Sequence, residues 1–305
     1  MAKREARVTE STGKKPIQDL REWLARVEEM GDLVRVKQPV SCDEEMSAIG
    51  YLVAKQTPSP AILFEAAKGY EKSPFKARLL WNILGPSIPR IALTLEEPTD
   101  TPTLELIRRV KDKFRNRMAP REIPSAQAGF FGNSVTGEKI DLTQLPIPRH
   151  WPLDGGRYAG TADVVITRDP DTNYLNLGTY RMMLQGKKEV GLYLSPGKDA
   201  RLHITRSWQM GKPVEVAAAW GIDPLFMLLG SQTFPKNVSE YEYLGGVKGE
   251  PIPVVKGKTT SLLLPANAEF VVEGIINRTR SEKKDPSESS PVIMVDLKRV
   301  APWLK

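Results

Sequence analysis

The change of texture at about Pro120 constrains this chain more than any other feature. Before it, stretches of helical spacing alternate with short apolar runs. After it, brief β-rich runs follow one another between prolines and glycines. The alternation predicts an α/β unit, and the closely spaced strands predict a small antiparallel β-barrel. A chain that changes period in this way reads as α+β.

In the first part, Pro16 suits the opening turn of a helix over 16–30. Leu20, Trp23, Leu24, Val27 and Met30 recur there at helical spacing, and Gly31 provides a stop. Residues 33–36 alternate as a short strand. Ser41-Cys42-Asp43-Glu44 reads as a capping box that opens a second helix, with Met46, Ile49 and Val53 on one face. Strands are expected at 61–64 and 78–83. A helix over 103–117 carries Leu104, Ile107 and Val110 inside and a basic outer face.

In the second part, strands are expected at 163–167, 174–180, 189–195, 252–255, 261–264 and 269–276. Asp169-Pro170-Asp171-Thr172-Asn173 turns the first into the second. Helices are expected at 199–210, 224–229 and 238–247, while residues 281–305 keep neither period clearly.

Composition excludes several classes. Hydrophobic residues make up 40% and charged residues 27%, which excludes wholesale disorder. No run of about 18 apolar residues exists, so no spanning helix is expected. Met1-Ala-Lys-Arg-Glu-Ala-Arg has no apolar core, so no secretory signal peptide is expected. The single cysteine, Cys42, excludes an internal disulfide and a Cys-based zinc site, and a cytoplasmic location follows as the expectation. The net charge of +7 sits at the two ends. Residues 1–15 hold five basic side chains against two acidic, and residues 274–305 hold seven against four. Basic ends alone are not a nucleic-acid footprint, so no nucleic-acid partner is expected.

Most polar motifs have a plain structural account. Gly155-Gly156-Arg157-Tyr158-Ala159-Gly160-Thr161 has the glycine spacing of a phosphate loop but lacks its lysine, and reads as a turn entering a strand. His150 and His203 lack metal-ligand spacing. Asp169 and Asp171 read as solvated turn carboxylates, and Glu269 and Glu273 as an exposed pair on one strand face. One constellation is harder to dismiss. Asn176-Leu177-Gly178-Thr179-Tyr180-Arg181 ends a strand, Ser195-Pro196-Gly197-Lys198-Asp199 turns a strand into a helix, and Val238-Ser239-Glu240 opens another helix. These supply amide and carboxylate oxygens for a hard divalent cation, a helix start for an anion and an arginine for a carboxylate. Polar residues at strand ends are common, so spacing alone leaves both readings open.

These motifs, in order, resemble the UbiD family of decarboxylases, which use prenylated flavin mononucleotide (prenylated FMN). The resemblance runs from 19–24 (Asp-Leu-Arg-Glu-Trp-Leu) and 31–36 through Leu145-Pro146-Ile147-Pro148 and 163–170. It continues through 176–181, 195–199, 238–241, 253–256, 264–269 and Glu273-Gly274, and so covers roughly residues 16–276. It implies an N-terminal α/β domain (16–118) after a basic extension (1–15). A flavin-binding split β-barrel (119–282) then follows, with the family's C-terminal α/β domain missing beyond a non-family tail (283–305).

By the same resemblance, Asn176 and Glu240 are ligands of the divalent metal that ties the flavin phosphate to the protein. That metal is usually manganese, with magnesium and potassium as further cations of the site. Asp199 stands where the family usually has histidine, and it adds a negative charge beside a phosphate. Arg181 contacts substrate carboxylate and flavin and is the catalytic arginine. Gly178, Thr179 and Tyr180 line the cofactor, and Thr161 and Lys198 approach it. The implied partners are an aromatic or α,β-unsaturated carboxylic acid, a flavin prenyltransferase as cofactor supplier and further copies of the chain in a homo-oligomer.

The family's proton-donating glutamate lies in a Glu-Gly-Pro-Phe/Tyr-Gly-Glu/Asp motif about ten residues after the Glu-Gly pair. Here that stretch reads Lys284-Asp285-Pro286-Ser287-Glu288-Ser289. Reading the codons one base earlier, with permissible wobble choices, turns 284–289 into Glu-Gly-Pro-Phe-Gly-Glu and continues through Lys298 in family style. One step is forced, because the single methionine codon at Met294 followed by Val295 must yield glycine in that frame. The last twenty or so residues are therefore expected to be an out-of-frame translation, with an ordinary divergent tail as the alternative. The chain as written is expected to be inactive or nearly so. Its rivals are a non-catalytic cofactor-binding subunit of a multi-subunit carboxylase and a nucleic-acid binder.

Overall fold

The structure, a computed structural model, describes residues 15–277, 283–284 and 291–302. The basic extension up to residue 14 and the 285–290 part of the suspected out-of-frame stretch lie outside the described residues.

The first unit is a three-stranded sheet between helices. It runs α1 (Leu20–Glu29), β1 (Leu33–Val36), α2 (Glu45–Ala54), β2 (Ala61–Phe64), β3 (Leu79–Trp81), α3 (Ile88–Thr94) and α4 (Thr103–Lys113). β2 lies in the middle, parallel to β1 and antiparallel to β3. All four of its side chains are buried because both faces are covered. Ala61 and Leu63 meet Trp23 and Val27 of α1, while Ile62 and Phe64 meet Met46 and Cys42. The Asp19 carboxylate caps α1 by accepting the Glu22 N–H at 2.8 Å.

Two expectations here need correction. The capping box at 41–44 does not form. Glu44 has φ +68 and gives no side-chain cap, whereas the Glu45 carboxylate accepts the Ser41 N–H at 2.9 Å. Glu44 pairs with Arg149 across the junction with the second unit. The inner face of α4 is also rotated. Leu106 is buried and Val110 packs against the core, while Leu104 and Ile107 are 72% and 59% exposed. Apolar residues at 104, 106, 107 and 110 cover more than one stripe, so periodicity could not choose between them.

The second unit supplies strands β4 (Arg121–Glu122), β5 (Val135–Thr136), β6 (Tyr158–Gly160), β7 (Val164–Arg168), β8 (Leu175–Gly178), β9 (Met182–Leu184) and β10 (Glu189–Leu192). Helix α5 (Asp199–Gln209), strand β11 (Val214–Trp220) and helices α6 (Pro224–Gly230) and α7 (Glu240–Lys248) follow. The remaining strands are β12 (Pro253–Lys256), β13 (Leu263–Pro265), β14 (Phe270–Ile276), β15 (Lys283–Lys284) and β16 (Pro291–Pro302). The main sheet has the order β6-β9-β10-β16-β14-β11-β7-β8, with β5 and β15 added to β16. Its pairings are antiparallel. β6 and β8 are its free ends, so the expected small barrel is instead an open, curled half-barrel.

Val165, Met182, Val190, Leu192, Val216, Val272 and Val295 converge on one face of this sheet, and α5 covers them with Ala200 and Ile204. The other face buries Val164, Ile166, Leu177, Ala217 and Ala219 against α6 and α7. β11 was not expected from sequence, because the run Val-Glu-Val-Ala-Ala-Ala-Trp is poor in β-branched residues. It pairs with β14 and β7 on its two sides, and small side chains suit a strand packed on both faces. The stretch that keeps neither period contains β16, which lies between β10 and β14. Ile293, Met294, Val295 and Leu297 are all buried there, so no polar alternation marks it.

The expected exposed pair of Glu269 and Glu273 is also corrected. Glu273 is fully buried and accepts the N–H groups of Lys258, Thr259 and Thr260, with Arg299 beside it. Glu269 pairs with Arg21 and ties α1 to the half-barrel.

Candidate functional site

Four element ends meet at one edge of the half-barrel and enclose a cleft of about 250 Å³. Its walls are Asn176–Tyr180 from the end of β8, Pro196–Asp199 from the turn into α5, Gly230–Thr233 after α6, and Glu240 at the start of α7. The sequence-predicted residues Asn176, Gly178, Thr179, Tyr180, Lys198, Asp199 and Glu240 therefore share one cavity. Thr161 and Arg181 are not among its lining residues. Thr161 is exposed on the loop between β6 and β7, and Arg181 is exposed one residue beyond the lining Tyr180.

Local chemistry explains the shape. At Gly178 a side chain would collide with the ring of Tyr180, so glycine lets that ring fold back over the strand end. The Thr179 N–H donates to the Gly230 carbonyl at 3.1 Å and pins β8 to the end of α6. Gly197 has φ +84, a left-handed conformation that turns β10 into α5. The Ser239 hydroxyl accepts the Tyr241 N–H at 3.4 Å and starts α7. Asp199 and Glu240 are the first helical residues of α5 and α7. Two helix N-termini, with their partial positive charge, thus open on the cleft.

The electrostatics is dominated by buried carboxylate. Glu240 is 6% exposed, and its Oε2 accepts the Leu177 N–H at 2.7 Å. Burial, with a smaller contribution from the negative charge of Asp199, pushes its pKa up to about 7. Burial also raises the Tyr180 phenol, and Asp199 and Glu240 add to that shift. Asn176 is 3% exposed, and its buried amide nitrogen has no hydrogen-bond partner. The cleft therefore offers two carboxylates, one of them destabilised in its charged form, and one buried amide. Among the described residues no three His, Cys, Asp or Glu side chains form a metal cluster. The donor set therefore depends on the Asn176 amide, the strand-end residue that the sequence motif and the family resemblance both singled out.

Sequence reasoning missed Ser231, Gln232 and Thr233. Their signal was a polar run directly after the apolar helix at 224–230. The two histidines are structural, as expected. His203 is buried with its Nδ1 3.0 Å from the Thr167 hydroxyl, and His150 Nδ1 is 2.9 Å from the Ser47 hydroxyl. Asp169 accepts the N–H groups of Asp171 and Thr172 and so shapes its turn.

Comparison with known proteins places this architecture. Residues 24–110 match the family profile described as the 3-octaprenyl-4-hydroxybenzoate carboxy-lyase N-terminal domain. Residues 121–292 match the Rift-related domain of the same carboxy-lyase, named UbiD. Among curated relatives, phenolic acid decarboxylase of Bacillus subtilis is 33% identical over 274 residues, or 88% of this chain and 56% of that protein. Ferulic acid decarboxylase 1 of Saccharomyces cerevisiae is 30% identical over 286 residues, or 89% of this chain and 55% of that protein. The chain thus spans about half the length of the curated relatives it matches.

Among solved structures, vanillic acid decarboxylase of Sedimentibacter hydroxybenzoicus in its closed form superposes with a TM-score of 0.85 at 29% identity. That match covers 95% of this chain and 63% of the other. The UbiD-class enzyme HmfF of Pelotomaculum thermopropionicum, in an evolved dimeric form in complex with prFMN, gives 0.84 at 26% identity, covering 94% and 65%. No described helix is long and apolar enough to cross a membrane. With both family profiles matched in order and the half-barrel fold shared, the chain belongs to the UbiD family.

Proposed function

We propose that the cleft binds prenylated FMN through its phosphate and a divalent cation. The lineage activity is non-oxidative decarboxylation, or the reverse carboxylation, of an aromatic or α,β-unsaturated carboxylic acid. One juxtaposition carries the reading: Asn176, Asp199 and Glu240 face one cleft into which two helix N-termini open. An all-oxygen donor set suits manganese or magnesium, and a cation would relieve the penalty on the buried Glu240 carboxylate. The partial positive charge of a helix N-terminus suits a phosphate. The prenylated-FMN complex of the UbiD-class neighbour and the aromatic acids in the relatives' names point the same way. A flavin prenyltransferase is the cofactor source in this reading, and the homo-oligomer belongs to it as well.

Each residue has a stated task. Asn176, Asp199 and Glu240 hold the cation, and Lys198 adds positive charge at the start of α5. Thr179 and Tyr180 form the wall against the flavin, with Gly178 leaving room for the Tyr180 ring. The Arg181 guanidinium takes the substrate carboxylate in a two-point hydrogen bond. When bound, the prenylated flavin supplies an electron sink for breaking the bond to the carboxylate.

Turnover also needs a proton donor, and residues 284–289 lack the family's glutamate motif. We therefore read the chain as written as catalytically silent, with its tail out of frame near residues 278–284. Nucleotide sequencing across codons 278–305 checks the frame, and codons for 284–298 that cannot spell the motif one base back contradict it. The chain reconstituted with prenylated FMN and manganese is expected to release no carbon dioxide from 4-hydroxycinnamate above background. Measurable release contradicts silence. A manganese titration followed by electron paramagnetic resonance, with FMN present, tests the cleft. Asn176→Ala and Glu240→Ala should each weaken binding by at least about tenfold, and unchanged binding in both would refute the assignment.

A further inference from the structure

Arg181 sits at the rim of the cleft, one residue beyond Tyr180, where the hairpin of β9 and β10 begins. Met182 pairs with Leu192 in that hairpin, so Arg181 and Tyr193 are the next opposed residues. The Tyr193 N–H donates to the Arg181 carbonyl at 3.1 Å, which fixes the two backbones together. The side chains also meet, with the Arg181 guanidinium carbon 4.7 Å from the centroid of the Tyr193 ring.

This contact matters because Arg181 is exposed. A long guanidinium side chain at a surface samples many rotamers and loses that freedom when it binds an anion. An aromatic ring in cation–π contact with the guanidinium removes much of that freedom beforehand. A cation–π contact does not use up an N–H donor as a hydrogen bond would, so it is compatible with carboxylate recognition through the N–H fork.

We propose that Tyr193 is a positioning residue. It holds the Arg181 guanidinium through this cation–π contact so that the N–H fork is presented to the carboxylate of an aromatic acid at the cleft. The inference rests on the reading of Arg181 as the carboxylate contact and adds to it a residue that helps to order it. The ring is the active part, and the phenol hydroxyl has no role.

Isothermal titration of benzoate into the full chain loaded with FMN and manganese tests this. Tyr193→Phe should bind benzoate as the parent does. Tyr193→Leu should bind about two- to fivefold more weakly, the fold-change that corresponds to about 0.5–1 kcal/mol for an exposed cation–π contact. FMN affinity and melting temperature should be unchanged in both, which a merely structural role for the ring does not predict. Tyr193→Met, ringless and of similar bulk, replaces the leucine variant if that one does not fold. Arg181→Ala separates the two layers. If it binds benzoate like the parent, or the parent does not bind, the reading of Arg181 fails and the proposal falls with it. If Arg181→Ala weakens binding while Tyr193→Leu matches the parent, only the positioning role is overturned. An equal loss in Tyr193→Phe and Tyr193→Leu also overturns it, because the hydroxyl and not the ring would then be responsible.

Discussion

Asp163 lies immediately before β7 with its side chain fully buried, and neither carboxyl oxygen has a hydrogen-bond partner. Burial pushes its pKa up to about 8. In the unfolded chain an aspartate releases its proton at about pH 3.9. Between these values the folded chain holds one more proton than the unfolded chain, so stability falls as pH rises from about 4 to about 8. Above about pH 8 both states are ionised and this contribution stops changing. Asp163→Asn keeps the shape and removes the titration. It should melt above the parent at pH 8, by at least about 3 °C, and the two melting curves should approach each other towards pH 4. A difference that does not vary with pH would contradict the assignment. Nothing in the sequence marked Asp163 as unusual, because desolvation is a property of the fold. Asn176 and Glu240 were legible through motifs, whereas the buried state of Glu273 was not. It depends on the 258–260 loop coming to rest over β14.

Elements with a single clear stripe were read well from sequence, and those with two stripes were not. Trp23, Leu24 and Val27 on α1 are buried as their spacing requires. On α4 the stripes compete, and contact with α7 and the half-barrel decides for Leu106. Leu106→Ala should therefore cost about 2–4 kcal/mol, while Ile107→Ala should stay within about 0.5 kcal/mol. Urea unfolding of the two variants distinguishes the phases, and the reverse ranking would restore the sequence-based face. β11 escaped notice because three consecutive alanines carry little strand propensity. Their small side chains are what a strand needs when α6 packs on one face and the half-barrel core lies on the other. β16 escaped for a related reason, being covered on both faces.

At the scale of the whole molecule, the site exists because residues 63 positions apart, such as Leu177 and Glu240, are joined by one hydrogen bond. The open edge of the half-barrel brings β8, α5, α6 and α7 to one place, and two helix starts turn their partial positive charge towards the cleft there. Periodicity predicts the strands and helices but not which of their ends meet, which is why the motif resemblance, and not spacing, located the cleft. Quenching of FMN fluorescence by the purified chain measures directly the proposed binding of the flavin phosphate in this cleft through a divalent cation. With manganese present, FMN should bind at one site per chain. Removing the metal with EDTA, or replacing Glu240 by alanine, should weaken binding by at least about tenfold. FMN binding of equal strength with manganese, with EDTA and in Glu240→Ala would contradict it.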